Sequence, residues 1–264
     1  MVSDPQMSFQ YALFKIEWAR RHLNNLDWFY QGYVRSQPYD VNVQRNSDGL
    51  IVVHAGMRFG IPREIPLFAG DIVHSLRSAL DYCWMGLERS INPSAAGKLT
   101  FPFSDDEKVL SPRFEGKAEV WSIPGLQEFI MKKVRPYKDG NRIIWNLNRL
   151  DRRDKHNLLI VSLGRIFFDS FELISEDGSK ISGSNMVVEV GSSMPLAEIG
   201  SPHDNFEFRY NISRPVEVVL SEDGALDGAP LIETLARMAD TVEEIVRMFI
   251  ERFPSVEAAP IVSP

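Results

Sequence analysis

YDVNVQRNSDGLIVVH, residues 39–54, interrupts an otherwise helical stretch of the chain. Tyr39, Val41 and Val43 alternate with polar residues, Asn46-Ser47-Asp48-Gly49 supplies turn chemistry, and Leu50 to Val53 return as a second apolar run. A period of two on both sides of such a turn predicts a β-hairpin. Upstream the period is different. Phe9, Ala12, Ile16, Ala19, Leu23, Leu26 and Tyr30 recur at three- and four-residue steps, which predicts a long amphipathic helix over 5–34. Downstream, Val73, Leu76, Leu80, Cys83, Trp84 and Leu87 predict a second helix over 64–91. A hairpin between two long helices rules out both an all-α and an all-β chain.

Residues 92–123 lack a clear period and contain several prolines and the cluster Ser104-Asp105-Asp106-Glu107. An ordered wrapping segment is expected there, because Phe101, Phe103, Phe114 and Trp121 favour burial. A helix over 124–134 should stop before Pro136, since a proline disfavours helix in the residue before it. Another helix is expected over 141–162. Four strands follow, at 166–174, 186–190, 206–212 and 216–220, and a last helix over 230–253 carries Leu231, Leu235, Met238, Val242, Ile245 and Phe249 on one stripe. The expected architecture is α+β, a helical bundle with an antiparallel β-sheet, in one domain over 1–264.

Composition narrows the function classes. Apolar residues are 44% and charged residues 25% of the 264, so the chain has the material for a packed core and not for a disordered segment. A balance of 29 basic against 36 acidic residues argues against a long duplex-binding groove, which draws its affinity from cations on phosphates. No basic segment leads into an apolar run at the start, and no stretch reaches the ~18 apolar residues of a membrane helix, so a cytoplasmic location is expected. Cys83 is the single cysteine and sits in an apolar stripe, where a buried inert thiol is expected.

Chemistry concentrates on two helices. On the second, His74, Arg77 and Asp81 form a line beside the apolar stripe, with Ser78 at its edge. Spacings of i, i+3 and i+7 place them on one face, where imidazole, guanidinium and carboxylate can build a charge-assisted network. On the helix over 141–162, Ile143, Leu147, Leu150, Leu158 and Val161 define the stripe, and Asp154 falls in its middle, with Asp151 at the border beside Lys155. An unpaired carboxylate facing a core is prohibitively costly. Arg77 is the expected partner of Asp154. Such a pair serves equally as a structural lock between helices. As a functional site, His74, Arg77, Asp81, Asp154 and Lys155 line a pocket for a small anionic molecule, with Arg77 or Lys155 holding the anion and His74 or Asp154 moving a proton.

Arg149 and His156 stand seven apart on the opposite face of the same expected helix. That Arg-then-His spacing resembles the HEPN family of helical-bundle ribonucleases. The resemblance implies a metal-independent ribonuclease or RNA-associated protein, with His156 as general base on a ribose hydroxyl, Arg149 on the phosphate and a symmetric homodimer. Leu150 departs from the polar residue usual after that arginine. Gly70-Asp71-Ile72-Val73-His74-Ser75-Leu76-Arg77-Ser78-Ala79-Leu80-Asp81, Phe101-Pro102-Phe103, Pro136-Tyr137, Asp151 and Asp154-Lys155-His156 are together similar to a family of uncharacterised bacterial and prophage proteins. That likeness covers roughly residues 65–163 and implies which residues to watch without implying a reaction. Ser75 and Tyr82 replace its usual Asn and His. A metal reading would pair Asp71 and His74 with Asp151 and Asp154, as di-metal bundles do. His22, His54 and His203 are scattered, and no cofactor or metal is expected. A non-catalytic scaffold with a buried ion network stays open.

Overall fold

The computed structural model describes residues 5–92, 100–110, 119–155, 157, 159, 161–198, 205–212, 216–221 and 226–254. The fold is α+β. Two compact units divide the chain: Met1–Leu26, Leu67–Leu159 and Ile232–Pro264 form the first, Asp27–Pro66 and Ile160–Leu231 the second.

The first unit is helical. Helix α1 runs over Pro5–Arg35 and α2 over Glu64–Ile91; both match the apolar periods to within a residue at each end. Within this unit α1 buries Phe9, Ala12, Ile16, Ala19 and Leu26, and α2 buries Val73, Leu76, Leu80, Cys83, Trp84 and Leu87. Each such side chain removed from water contributes roughly 1.5–3 kcal/mol before the entropy of ordering it is set against it. A short helix α3 (Glu107–Leu110) and a 3-10 turn (Glu119–Ser122) lie in the described part of the wrapping segment. It is anchored by its rings, as its composition implied. Phe101 and Phe103 are buried, their centroids 5.0 Å apart, and Trp84 meets Trp121 at 4.8 Å. Phe114 lies outside the described residues.

Helix α4 (Leu126–Phe129) continues into a π turn over Ile130–Val134, and the helix stops just before the stretch leading to Pro136. Asn141 caps α5 (Arg142–Asp154), its side-chain oxygen accepting from the Ile144 amide at 3.3 Å. The helix expected over 141–162 therefore ends eight residues early. Val161, counted above in its stripe, belongs to strand β3 of the second unit. Helix α6 (Leu231–Arg252) supplies Leu235, Met238, Val242, Ile245 and Phe249 to the helical core.

The second unit holds the strands, and all pairings are antiparallel. The expected hairpin is β1 (Tyr39–Arg45) and β2 (Ile51–Met57); Asn46 Oδ1 accepts from the Asp48 and Leu50 amides, and Gly49 takes a φ of 85° that few other residues tolerate. Then come β3 (Val161–Leu163), β4 (Arg165–Ser175), β5 (Lys180–Glu189), β6 (Ser193–Ala197), β7 (Phe206–Asn211), β8 (Val218–Leu220) and β9 (Ala229–Pro230). They form three small sheets rather than one, ordered β1-β2-β6, β3-β8-β9 and β5-β4-β7. Ile51 and Leu173 centre one apolar cluster, with Val43, Ile181, Leu196, Phe206 and Phe208 against it.

Candidate functional site

Two helices of the first unit, α2 and α5, present the polar side chains to each other. Spacing along α5 puts Ile144, Leu147, Asn148, Asp151, Asp154 and Lys155 on the side that meets α2. Asp151 is the buried member, 2% exposed. Both of its oxygens are engaged. His74 Nδ1 lies 2.9 Å from Oδ1, and Lys155 Nζ, one turn on, lies 2.7 Å from Oδ2. The two partners are themselves half in water, with side chains 55% and 54% exposed. A charge this deeply placed is tolerable only with such donors.

The tautomer follows from donor chemistry. An ionised carboxylate accepts and never donates, so Nδ1 carries the proton toward Asp151. Nε2 then has no partner among the described residues. An imidazole fixed this way presents a lone pair, or a proton when charged, at a defined atom.

Asp154 is not the core carboxylate. It is half-buried and packs on Gly70 of α2: a Cβ there would stand 2.6 Å from one carboxylate oxygen and 2.7 Å from the carboxyl carbon. Burial raises its pKa above the ordinary carboxylate range, the negative charges of Asp151 and Asp71 raise it further, and His74 opposes them. The folded protein therefore retains this proton to higher pH than the unfolded chain does. Stability is lost as pH rises from the ordinary carboxylate range through the raised value. Because water screens this half-exposed group, the effect is small: Asp154→Asn should have nearly the wild-type melting temperature in acid and melt about 1 °C higher above that window, a few tenths of a kcal/mol. Melting curves of both proteins from pH 3 to 8 measure this, and an unchanged difference across the range contradicts it.

Arg77 also departs from expectation. It does not reach Asp154. Its Nη1 pairs with Asp81, its Nε donates to Asn148 Oδ1 at 3.1 Å, and its guanidinium lies 4.5 Å from the Phe103 ring centroid. Asp81 in turn accepts from the Phe101 amide at 2.8 Å. Arg77 and Asp81 thus tie α2 to α5 and to the wrapping segment, with Arg77 only 8% exposed. Asn148 is a member that spacing had not singled out.

Arg149 is half-buried, its guanidinium 5.1 Å from the Trp145 ring centroid, while Trp145 Nε1 donates to Asp105 Oδ1 at 3.1 Å. His156 lies outside the described residues, as does His203. The helical register that would stack Arg149 and His156 is assigned only as far as Asp154. Burial raises the Cys83 thiol pKa, which suits an inert core residue. Among the described residues no cluster of three His, Cys, Asp or Glu side chains converges to hold a metal ion, and no helix is long and apolar enough to cross a membrane. Comparison of the chain with family models, with curated proteins and with solved structures gave no match.

Proposed function

We propose that this protein is an enzyme acting on a small anionic molecule by proton transfer, with His74 as its acid–base group. One observation carries the reading: a carboxylate only 2% exposed orients an imidazole that is itself half exposed. A structural lock needs no open ring nitrogen; a proton-transfer group does. Lys155 shares the same carboxylate and keeps its side chain half exposed, a cation for an anionic substrate one carboxylate away from the imidazole. Asp154, kept nearer its protonated form, is a second proton carrier on the same face. Arg77, the other expected anion holder, is already occupied. The HEPN-like ribonuclease reading draws on Arg149 and His156, and the geometry supports it less, since Arg149 is stacked on Trp145 and α5 ends at Asp154.

The test screens small carboxylates and phosphate esters for turnover by the intact protein. Any activity found should fall by about 10²–10⁴-fold in His74→Asn, the usual weight of a general acid or base, with the circular dichroism spectrum unchanged. His156→Asn should stay within a few-fold of wild type. Turnover that survives His74→Asn, or that depends on His156 instead, refutes the assignment. Nitrogen NMR supplies a readout without substrate: His74 should carry its neutral-form proton on Nδ1 and lose that preference in Asp151→Asn.

A further inference from the structure

A second site lies elsewhere in the helical unit. Gly125, Phe129, Lys132 and Lys133 recur at helical spacing along α4 and its π turn, and Met248, Glu251 and Arg252 recur at i, i+3 and i+4 on α6. These two faces enclose a cleft of about 480 Å³, within the range of small-molecule sites, with Glu128 completing its wall. Gly125 has a φ of 78° and no side chain, which lets the Arg252 guanidinium lie across it, 2.8 Å from where a Cβ would stand. The π turn at 130–134 is an uncommon device, met often at functional sites.

Charge and surface chemistry identify the occupant. Three cations and two carboxylates line the cleft, a positive balance in a chain whose net charge is −7. Lys132 is paired with Glu128 at 2.9 Å, whereas neither Lys133 nor Arg252 closes an ion pair among the described residues. A neighbouring cleft of about 450 Å³ shares Met248 and Glu251 but differs in this respect. Its Arg20 is bound to Asp240 and Glu243, and its Arg247 to Glu243. Met248 and Phe129 give the first cleft an apolar side beside these two cations, of which Arg252 also lies 5.7 Å from the Phe253 ring centroid. We infer that the cleft between α4 and the end of α6 binds an organic anion, a phosphate or carboxylate carried on an apolar body of about the size of one aromatic ring.

Phenyl phosphate is the probe, titrated into the isotope-labelled full chain and followed by residue-resolved NMR. Shifts should cluster at 125–133 and 248–252. Lys133→Gln and Arg252→Gln should each weaken binding about tenfold, the loss of one charge-assisted hydrogen bond. Met248→Trp, which fills the cleft without changing charge, should abolish it, and inorganic phosphate alone should bind at least tenfold more weakly than the ester. Shifts centred on other residues overturn the proposal. So does affinity unchanged in Met248→Trp with native dichroism, or phosphate binding as tightly as its phenyl ester. This cleft is separate from the His74 site, so either assignment stands or falls without the other.

Discussion

Replacing Phe249 by alanine should destabilise the helical unit by about 3–5 kcal/mol, the usual cost of deleting a fully enclosed aromatic side chain. Phe249 of α6 is 0% exposed, and its ring meets those of Phe129, Phe101 and Phe253 at centroid distances of 4.9, 6.1 and 6.1 Å. These rings come from α4, the wrapping segment and the end of α6, so the deletion leaves a hole that no single neighbour can close by relaxing. Both lost transfer free energy and unfilled volume add to the cost. Phe249→Leu keeps most of the volume and should cost less than about 1.5 kcal/mol. Denaturant melts followed by tryptophan fluorescence are the measurement. Four of the five tryptophans, Trp18, Trp84, Trp121 and Trp145, belong to this unit, so the signal reports its unfolding. A cost under 1 kcal/mol for the alanine variant contradicts the packing described.

Arg77→Ala should cost about 3 kcal/mol, the lower end of what breaking a buried ion pair entails. The lower end applies because Asp81 is 29% exposed and keeps the Phe101 amide as a donor after its arginine is gone. The variant also loses the hydrogen bond to Asn148 and the stacking on Phe103, and it leaves a gap where the long stem lay. Arg77→Lys should recover little, since an ammonium does not reproduce a planar fork with donors on several sides. In a double-mutant cycle with Asp81→Ala, the two changes should fall short of additivity by about 1 kcal/mol or more. Strict additivity would mean the pair contributes nothing and that Arg77 acts through packing alone.

Much of the helical part was legible because it rests on local period. The stripes of α1, α2 and α6 each repeat for about four turns or more, and their ends fell within about a residue of the sequence reading. Helix α5 shows where that reasoning stops. Leu158 and Val161 continue its apolar spacing, yet Val161 is β-branched and pairs with Leu220 as part of β3. They lengthened the helix, and its inferred buried face rotated because the half-buried Ile143 stood in the stripe in place of the buried Ile144 and Trp145. Asp151 and Asp154 stand only about 60° apart on a helical wheel, so that small rotation exchanged the enclosed carboxylate for the one at the edge. The buried Ile144, Trp145, Leu147 and Leu150 centre their face about 20° from Asp151 and about 40° from Asp154 on that wheel, which points to Asp151.

The strands show a different limit. Alternation marked β1, β2, β4 and β7, but it does not say which strand pairs with which, and so could not divide them among three sheets. Strand β6 escaped notice because Pro195 interrupts it; it lies at a sheet edge, where a missing N–H is tolerated. Nothing in residue order distinguishes the π turn after α4 from an ordinary helical one.

Gly70 and Asp154 compete for one volume. A methyl group at 70 improves the intrinsic helix propensity of α2 by about 1 kcal/mol, yet only after the carboxylate has been swung away or shortened. The two positions are therefore joined in descent: a lineage that acquires alanine at 70 gains from it once 154 has shrunk to alanine, serine or glycine. Gly70→Ala should accordingly be harmful by itself and beneficial on an Asp154→Ala background, a reversal of sign that ties this carboxylate to the backbone beneath it.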